Sequence, residues 1–81
     1  MTPREAILTL CEARGPGKSI CPSEAARALS PEGWRDHMEA VRVAAQSLAA
    51  EGRILCTQKG AVVDITRARG PIRLSWAAME E

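Results

Sequence analysis

The chain has 81 residues, of which 46% are hydrophobic and 26% charged, with a formal net charge of +1. The balanced charge excludes a disordered acidic or basic tail, and no apolar run approaches the ~18 residues of a membrane-spanning helix. Because 14 of the residues are alanine, the core should be thin and rich in helices. We expect one soluble, cytoplasmic domain over residues 1–81 and no membrane partner, since the N-terminus lacks the features of a secretory signal.

A first helix is predicted at the start of the chain. Thr2 and Glu5 have the spacing of a capping box, and Pro3 stands at the first helical position. Apolar residues then recur with helical periodicity until the Gly-Pro-Gly sequence of residues 15–17 supplies a break. These signals predict a helix from Pro3 to Arg14.

A short extended segment and a second helix follow. Residues 18–20 are extended but too few to form a stable strand alone. Pro22 and Glu24 occupy the first and third positions of the next helix. This helix should stop at Ser30, because a residue that precedes proline is disfavoured in the helical region.

The strongest helical pattern begins at Trp34. Apolar residues there are separated by steps of four and three, as on one face of an amphipathic helix: Trp34, Met38, Val41, Ala45 and Leu48. Gly52 marks the predicted end of this helix. One long third helix is therefore predicted, with Trp34 as a core anchor.

The remainder of the chain is typical of β-structure. Residues 53–58 form an apolar and β-branched run of strand length, and Lys59-Gly60 is a turn signal. Residues 61–65 are a candidate second short strand or part of a longer loop. Residues 72–76 alternate apolar and polar side chains, as expected of a half-buried strand.

This order of elements predicts an α+β fold, a winged helix-turn-helix with three helices and a C-terminal β-hairpin. The same segments carry a family resemblance: CPSEAARAL, WRDHMEAVRVAAQSLAAEGRI, QKG and RGPIRL. Over Ile7 to Leu74 the chain resembles a small bacterial family catalogued only as a domain of unknown function. The resemblance implies the winged-helix fold and brings no activity with it.

The third helix offers candidate base-reading residues. Arg35, Arg42 and Gln46 form a stripe on a helical wheel, and arginine and glutamine suit the base edges of guanine and adenine. The alternative is a solvated ion-pair ladder through Glu39, which lies between the two arginines.

Positive charge concentrates after the third helix. Residues 52–76 contain five basic residues and a single acidic residue, Asp64. We predict that four basic side chains contact DNA phosphates from the wing: Lys59, Arg67, Arg69 and Arg73. The alternative is that they are ordinary basic residues of the protein surface. The sequence therefore favours double-stranded DNA as the partner.

Other residues are expected to have structural roles. Arg27 and Glu24 on the second helix are expected to fix the turn by an ion pair. Contact with a phosphate is the less favoured alternative. Trp76 should cover the inner face of the hairpin.

No catalytic, cofactor-binding or metal-binding pattern is present in the sequence. Cys11, Cys21 and Cys56 match neither zinc-ligand nor disulfide spacing, and buried thiols are the expected state. His37 is the single histidine, and a Cys21–His37 pair is the only conceivable catalytic arrangement. We expect no enzyme activity and no cofactor.

A protein-interaction module is the competing hypothesis. Val43 lies opposite the core seam of the third helix, and an exposed apolar patch that includes Val43, Val62 or Ile65 would favour a partner protein or a homodimer. A positive face spanning the third helix and the wing would favour DNA instead.

Overall fold

A computed structural model describes residues 1–15 and 17–77. Three α-helices pack against one face of a four-stranded antiparallel sheet, and the predicted α+β fold class is confirmed. The order of elements is compatible with a winged-helix-like fold. Within the described ranges, each helix is too short or too polar to cross a membrane.

The first helix, α1 (Pro3–Arg14), has the predicted bounds. Thr2 and Glu5 form the capping box: the Glu5 backbone N–H donates to Thr2 Oγ1 at 3.1 Å, and the Thr2 N–H donates to Glu5 Oε1 at 2.9 Å. Gly15, with φ +86°, caps its C-terminus. Pro16 of the predicted break lies outside the described residues.

Strand β1 (Ser19–Ile20) leads into α2 (Pro22–Leu29), as the sequence predicts. The Glu24 side chain accepts a hydrogen bond of 3.0 Å from the backbone N–H of Cys21, which satisfies one of the free donors at the helix start.

The predicted long third helix is divided, and here the prediction is wrong. Residues Trp34–His37 form a 3-10 helix, and α3 covers Met38–Ala50. Gly33 supplies no side-chain cap before Trp34, and the segment tightens into i→i+3 bonds such as Asp36 N–H to Gly33 O at 3.1 Å.

The C-terminal end of α3 follows the prediction. Gly52, with φ +78°, donates its N–H to Ala49 O, and the Arg53 N–H reaches back to Leu48 O. These two bonds constitute a Schellman motif, and they direct the chain into the sheet.

The sheet contains β2 (Ile54–Gln58), β3 (Ala61–Val62) and β4 (Arg73–Trp76), in the order β1-β4-β2-β3. Residues 59–72 connect β2 to β4 and include β3, and we call them the wing. Lys59 and Gly60 both have positive φ, +54° and +83°, as in the type I′ turn of a two-residue hairpin.

The candidate strand over residues 61–65 ends at Val62 because the next residues form a turn. The Asp64 carboxylate accepts hydrogen bonds from the N–H and hydroxyl of Thr66, at 2.9 and 2.6 Å. Asp64 O also accepts from the backbone N–H groups of Arg67 and Ala68. The turn places Ile65 in the core.

The core lies between the helices and the inner face of the sheet. Its largest fully buried side chains come from α1, α3, β1, β2 and β4: Ile7, Ile20, Leu48, Ile54, Leu74, Val41 and Cys11. The second helix, α2, contributes the smaller buried residues Pro22, Ala25 and Ala26. Trp34 and Trp76 are half-buried and pack against this cluster. The tryptophans therefore border the core rather than fill it.

Candidate nucleic-acid interface

Three basic side chains converge at the base of the wing. They line one concave pocket, the wing basic pocket, whose lining residues are Gln58, Lys59, Arg69, Pro71 and Arg73. Lys59, Arg69 and Arg73 are exposed, and no acidic side chain of the described residues lines the pocket. A concave surface with one sign of charge concentrates counter-ions and suits a phosphate group.

Gln58 holds the two sides of this pocket together. Its side-chain amide donates to the backbone carbonyl of Arg69 and, at 3.1 Å, to that of Pro71. Lys59 follows Gln58 directly, in the two-residue turn. The pocket is thus formed by residues adjacent to β2 on one side and to β4 on the other.

Arg73 is fixed by contacts with β1. Its Nε donates to Ser19 Oγ at 2.9 Å, and its Nη2 donates to Ser19 O at 3.0 Å. The pKa of Glu24 is lowered, chiefly by the hydrogen bond from the Cys21 N–H, with further contributions from Arg14 and from the positive charge of Arg73. Arg73 therefore contributes charge to the pocket from a fixed position, with part of its hydrogen-bonding capacity already used.

Arg67, also predicted from the sequence, does not line this pocket. It lies in the Asp64 turn, where its charge helps to lower the pKa of Asp64, after the larger effect of the hydrogen bonds from Thr66. The negative charge of Asp64 therefore offsets part of the positive charge of Arg67.

Arg42 and Gln46 of α3 do not line the wing basic pocket. Gln46 is exposed and lines a groove between α3 and the β2–β3 hairpin, together with Leu55 and Val62. Arg42 is half-buried and close enough to Cys56 for its charge to oppose the effect of burial, which raises the pKa of that thiol.

The continuous stripe predicted for Arg35, Arg42 and Gln46 is altered by the 3-10 helix. A 3-10 helix turns about 120° per residue against about 100° in an α-helix, so Arg35 is rotated away from its position on an α-helical wheel. Its guanidinium lies 4.5 Å from the centroid of the Trp34 ring. The ion-pair ladder through Glu39 is not formed among the described residues.

Arg27 lies over the Trp34 ring as well, at 4.5 Å from its centroid. The expected ion pair of Arg27 with Glu24 is wrong, because Glu24 pairs with Arg14 instead. Sequence reasoning missed the Arg27–Trp34 contact, since seven positions and a turn separate the two residues.

An apolar groove lies between the start of α1 and the outer face of α3. Val43 is 60% exposed in it, and the other lining residues are Thr2, Pro3, Arg4, Ala40, Ala44 and Ser47. Val62 is 66% exposed on β3 and belongs to the groove beside Gln46, whereas Ile65 is buried. The exposed valines therefore belong to two separate surfaces.

The cysteines are free thiols. Cys11 and Cys56 are buried, and burial raises the pKa of Cys11 to about 11, so its thiol stays protonated at neutral pH. Cys21 precedes α2, and its Sγ lies 3.4 Å from Ser23 Oγ. His37 belongs to the 3-10 helix and is not among the hydrogen-bond partners of Cys21 in the described part of the chain.

Comparison with known proteins gives one family match. The family model described as "Protein of unknown function (DUF3253)" matches residues 2–77, which confirms the resemblance seen in the sequence. A search of the curated proteins returned no match.

Proposed function

The chain belongs to the DUF3253 family, and we propose that it is a winged-helix domain that binds double-stranded DNA. The wing basic pocket contacts backbone phosphates, and α3 lies toward the major groove with Arg42 and Gln46 as base-reading residues. Fold alone does not determine function, so the proposal depends on the residues of the surface.

The convergence of Lys59, Arg69 and Arg73 on one pocket is the observation that carries the proposal. Scattered surface arginines would be spaced apart or paired with carboxylates. Here the side chains of Lys59 and Arg69 form no ion pair with another described residue. Cations that are exposed, close together and unpaired favour a polyanion, because binding releases the counter-ions condensed on DNA.

The test is the salt dependence of binding to a mixed pool of labelled duplexes. Each phosphate contact contributes roughly 0.9 to the slope of log K against log salt concentration. The double variant Lys59→Gln/Arg69→Gln should therefore lower the magnitude of the slope by about 1.8. This variant leaves Arg73 and its bonds to Ser19 intact.

Arg53→Gln is the matched control, with the loss of one exposed charge. Arg53 precedes β2, at the opposite end of that strand from the Lys59-Gly60 turn, and lines a different pocket. The slope of log K against log salt concentration for Arg53→Gln should equal the slope for the unmodified protein. Duplex binding that is absent, or that is insensitive to salt, contradicts the proposal.

The apolar groove around Val43 supports a second candidate function, a protein-interaction module. Exposed contiguous apolar surface on a small protein marks contact sites. On this hypothesis Val43→Glu abolishes association with a partner chain or a second copy, as measured by sedimentation. Neither the unmodified protein nor the Val43→Glu variant should then bind duplex DNA. Duplex binding by the unmodified protein would favour the DNA proposal.

A further inference from the structure

A second basic cluster lies between α2 and α3, apart from the wing basic pocket. The guanidinium carbons of Arg27 and Arg35 each lie 4.5 Å from the centroid of the Trp34 ring. Arg27 belongs to the last turn of α2, and Arg35 to the 3-10 helix. Since both distances are measured to the same point, the two cations are held no more than about 9 Å apart, twice 4.5 Å.

The contact with the indole ring holds each guanidinium in place without using its hydrogen-bond donors. The ring attracts the cation over its face, whereas the N–H donors lie in the guanidinium plane. Both arginines are exposed, and neither forms an ion pair with any residue of the ranges 1–15 and 17–77. The cluster therefore presents two exposed guanidinium groups, both held against Trp34, to solvent.

Other arginines of the same chain show the opposite arrangement. Arg4 donates to both carboxylate oxygens of Glu51, and Arg14 pairs with Glu24. Around Trp34 the neighbouring acidic residues in the sequence are exposed but do not pair with Arg27 or Arg35. An exposed guanidinium without a carboxylate partner gains charge-assisted hydrogen bonds when a phosphate oxygen binds to it.

We propose that Arg27 and Arg35 form a second phosphate-binding point for the backbone of duplex DNA, with Trp34 as the residue that positions them. This inference rests on the proposed function. In helix-turn-helix proteins the helix before the recognition helix crosses the DNA backbone, and Arg27 lies in the last turn of that helix here. The protein thus contacts phosphates at two points, one at the turn and one at the wing.

The experiment measures the slope of log K against log salt concentration for a duplex, using Arg27→Gln, Arg35→Gln and the double variant. Each single variant should lower the magnitude of the slope by about 0.9, and the double variant by about 1.8. Arg53→Gln is the matched control and should leave the slope unchanged. Each single variant removes one cation–π contact with Trp34, which contributes little at an exposed site, so a modest fall in Tm is expected. Circular dichroism at the temperature of the titration verifies that each variant is folded.

The outcomes separate this inference from the proposed function. If the Arg27/Arg35 double variant retains the full slope while Lys59→Gln/Arg69→Gln loses its part, the phosphate point at the turn is refuted and DNA binding through the wing stands. If the unmodified protein binds no duplex, the proposed function fails and the second phosphate point fails with it. Losses of slope in both double variants support the two-point contact.

Discussion

Gln58→Ala tests whether the wing basic pocket is held together as the structure indicates. The side-chain amide of Gln58 donates to the carbonyl of Arg69 and, at 3.1 Å, to the carbonyl of Pro71. These bonds join the last residue of β2 to the segment that precedes β4. Alanine removes both donors and leaves the strand pairing and every cation of the pocket in place.

The expected cost follows from the number and the setting of these bonds. A neutral hydrogen bond contributes roughly 0.5–1.5 kcal/mol to stability, and the lower values apply where water can replace the partner. Gln58 is only half-buried, so the two bonds together should contribute about 1 kcal/mol. In a protein of this size, that loss corresponds to a fall in Tm of about 4–8 °C.

Thermal unfolding followed by circular dichroism measures this effect, and duplex titration measures its consequence for binding. Affinity should fall by at most about fivefold, the equivalent of 1 kcal/mol, because the backbone of Arg69 is less constrained. The salt slope should be unchanged, since no charge is lost. Gln46→Ala, at an exposed glutamine of α3, is the control for stability and should leave Tm unchanged.

Two results would contradict this role of Gln58. An unchanged Tm for Gln58→Ala would show that the bonds to Arg69 and Pro71 do not hold the wing. A loss above about 3 kcal/mol, the size expected for truncation in a core, would show that Gln58 supports more than the wing.

Gly70→Ala should lower the free energy of unfolding in urea by about 1 kcal/mol, because φ is +84° at Gly70. The added Cβ would meet only Gln58 Nε2, at an ordinary contact distance of 3.8 Å, so the cost comes from the backbone conformation. An unchanged urea midpoint would contradict this prediction. Burial raises the pKa of Cys11 from 9.0 to about 11, so between these pH values the unfolded chain loses the proton first. Stability should therefore decline as pH rises through this window, and Cys11→Ala, itself less stable, should show a smaller decline. Arg4→Gln should lower the urea midpoint by the equivalent of roughly 0.2–1 kcal/mol, because Arg4 makes a bidentate but solvent-accessible ion pair with Glu51. A loss well above this range would contradict the expected weakness of a surface ion pair.

Local sequence signals located most of the secondary structure. The capping box of Thr2 and Glu5 and the prolines at the starts of α1 and α2 act through neighbouring backbone groups, so their effects can be read without tertiary structure. The same is true of Gly52 and of the Lys59-Gly60 turn, where the backbone requires positive φ.

Prediction from the sequence was wrong or undecided where local signals compete. The apolar periodicity from Trp34 continues smoothly into α3, yet the uncapped start at Gly33 favours the tighter 3-10 helix. For residues 61–65 the sequence left a short strand and a loop open, and the hydrogen bond from the Thr66 N–H to the Asp64 carboxylate limits the strand to Ala61–Val62.

The sequence by itself determined the order of helices and strands, the excess of positive charge after residue 52 and the identity of the candidate contact residues. Only the tertiary structure decided which of these residues meet. Strand pairing brings Lys59, Arg69 and Arg73 to one pocket, and the turn between α2 and the 3-10 helix brings Arg27 to Trp34 and its neighbour Arg35. Capping and turn formation depend on residues a few positions apart, whereas the grouping of charges depends on contacts between distant segments, which no local pattern encodes.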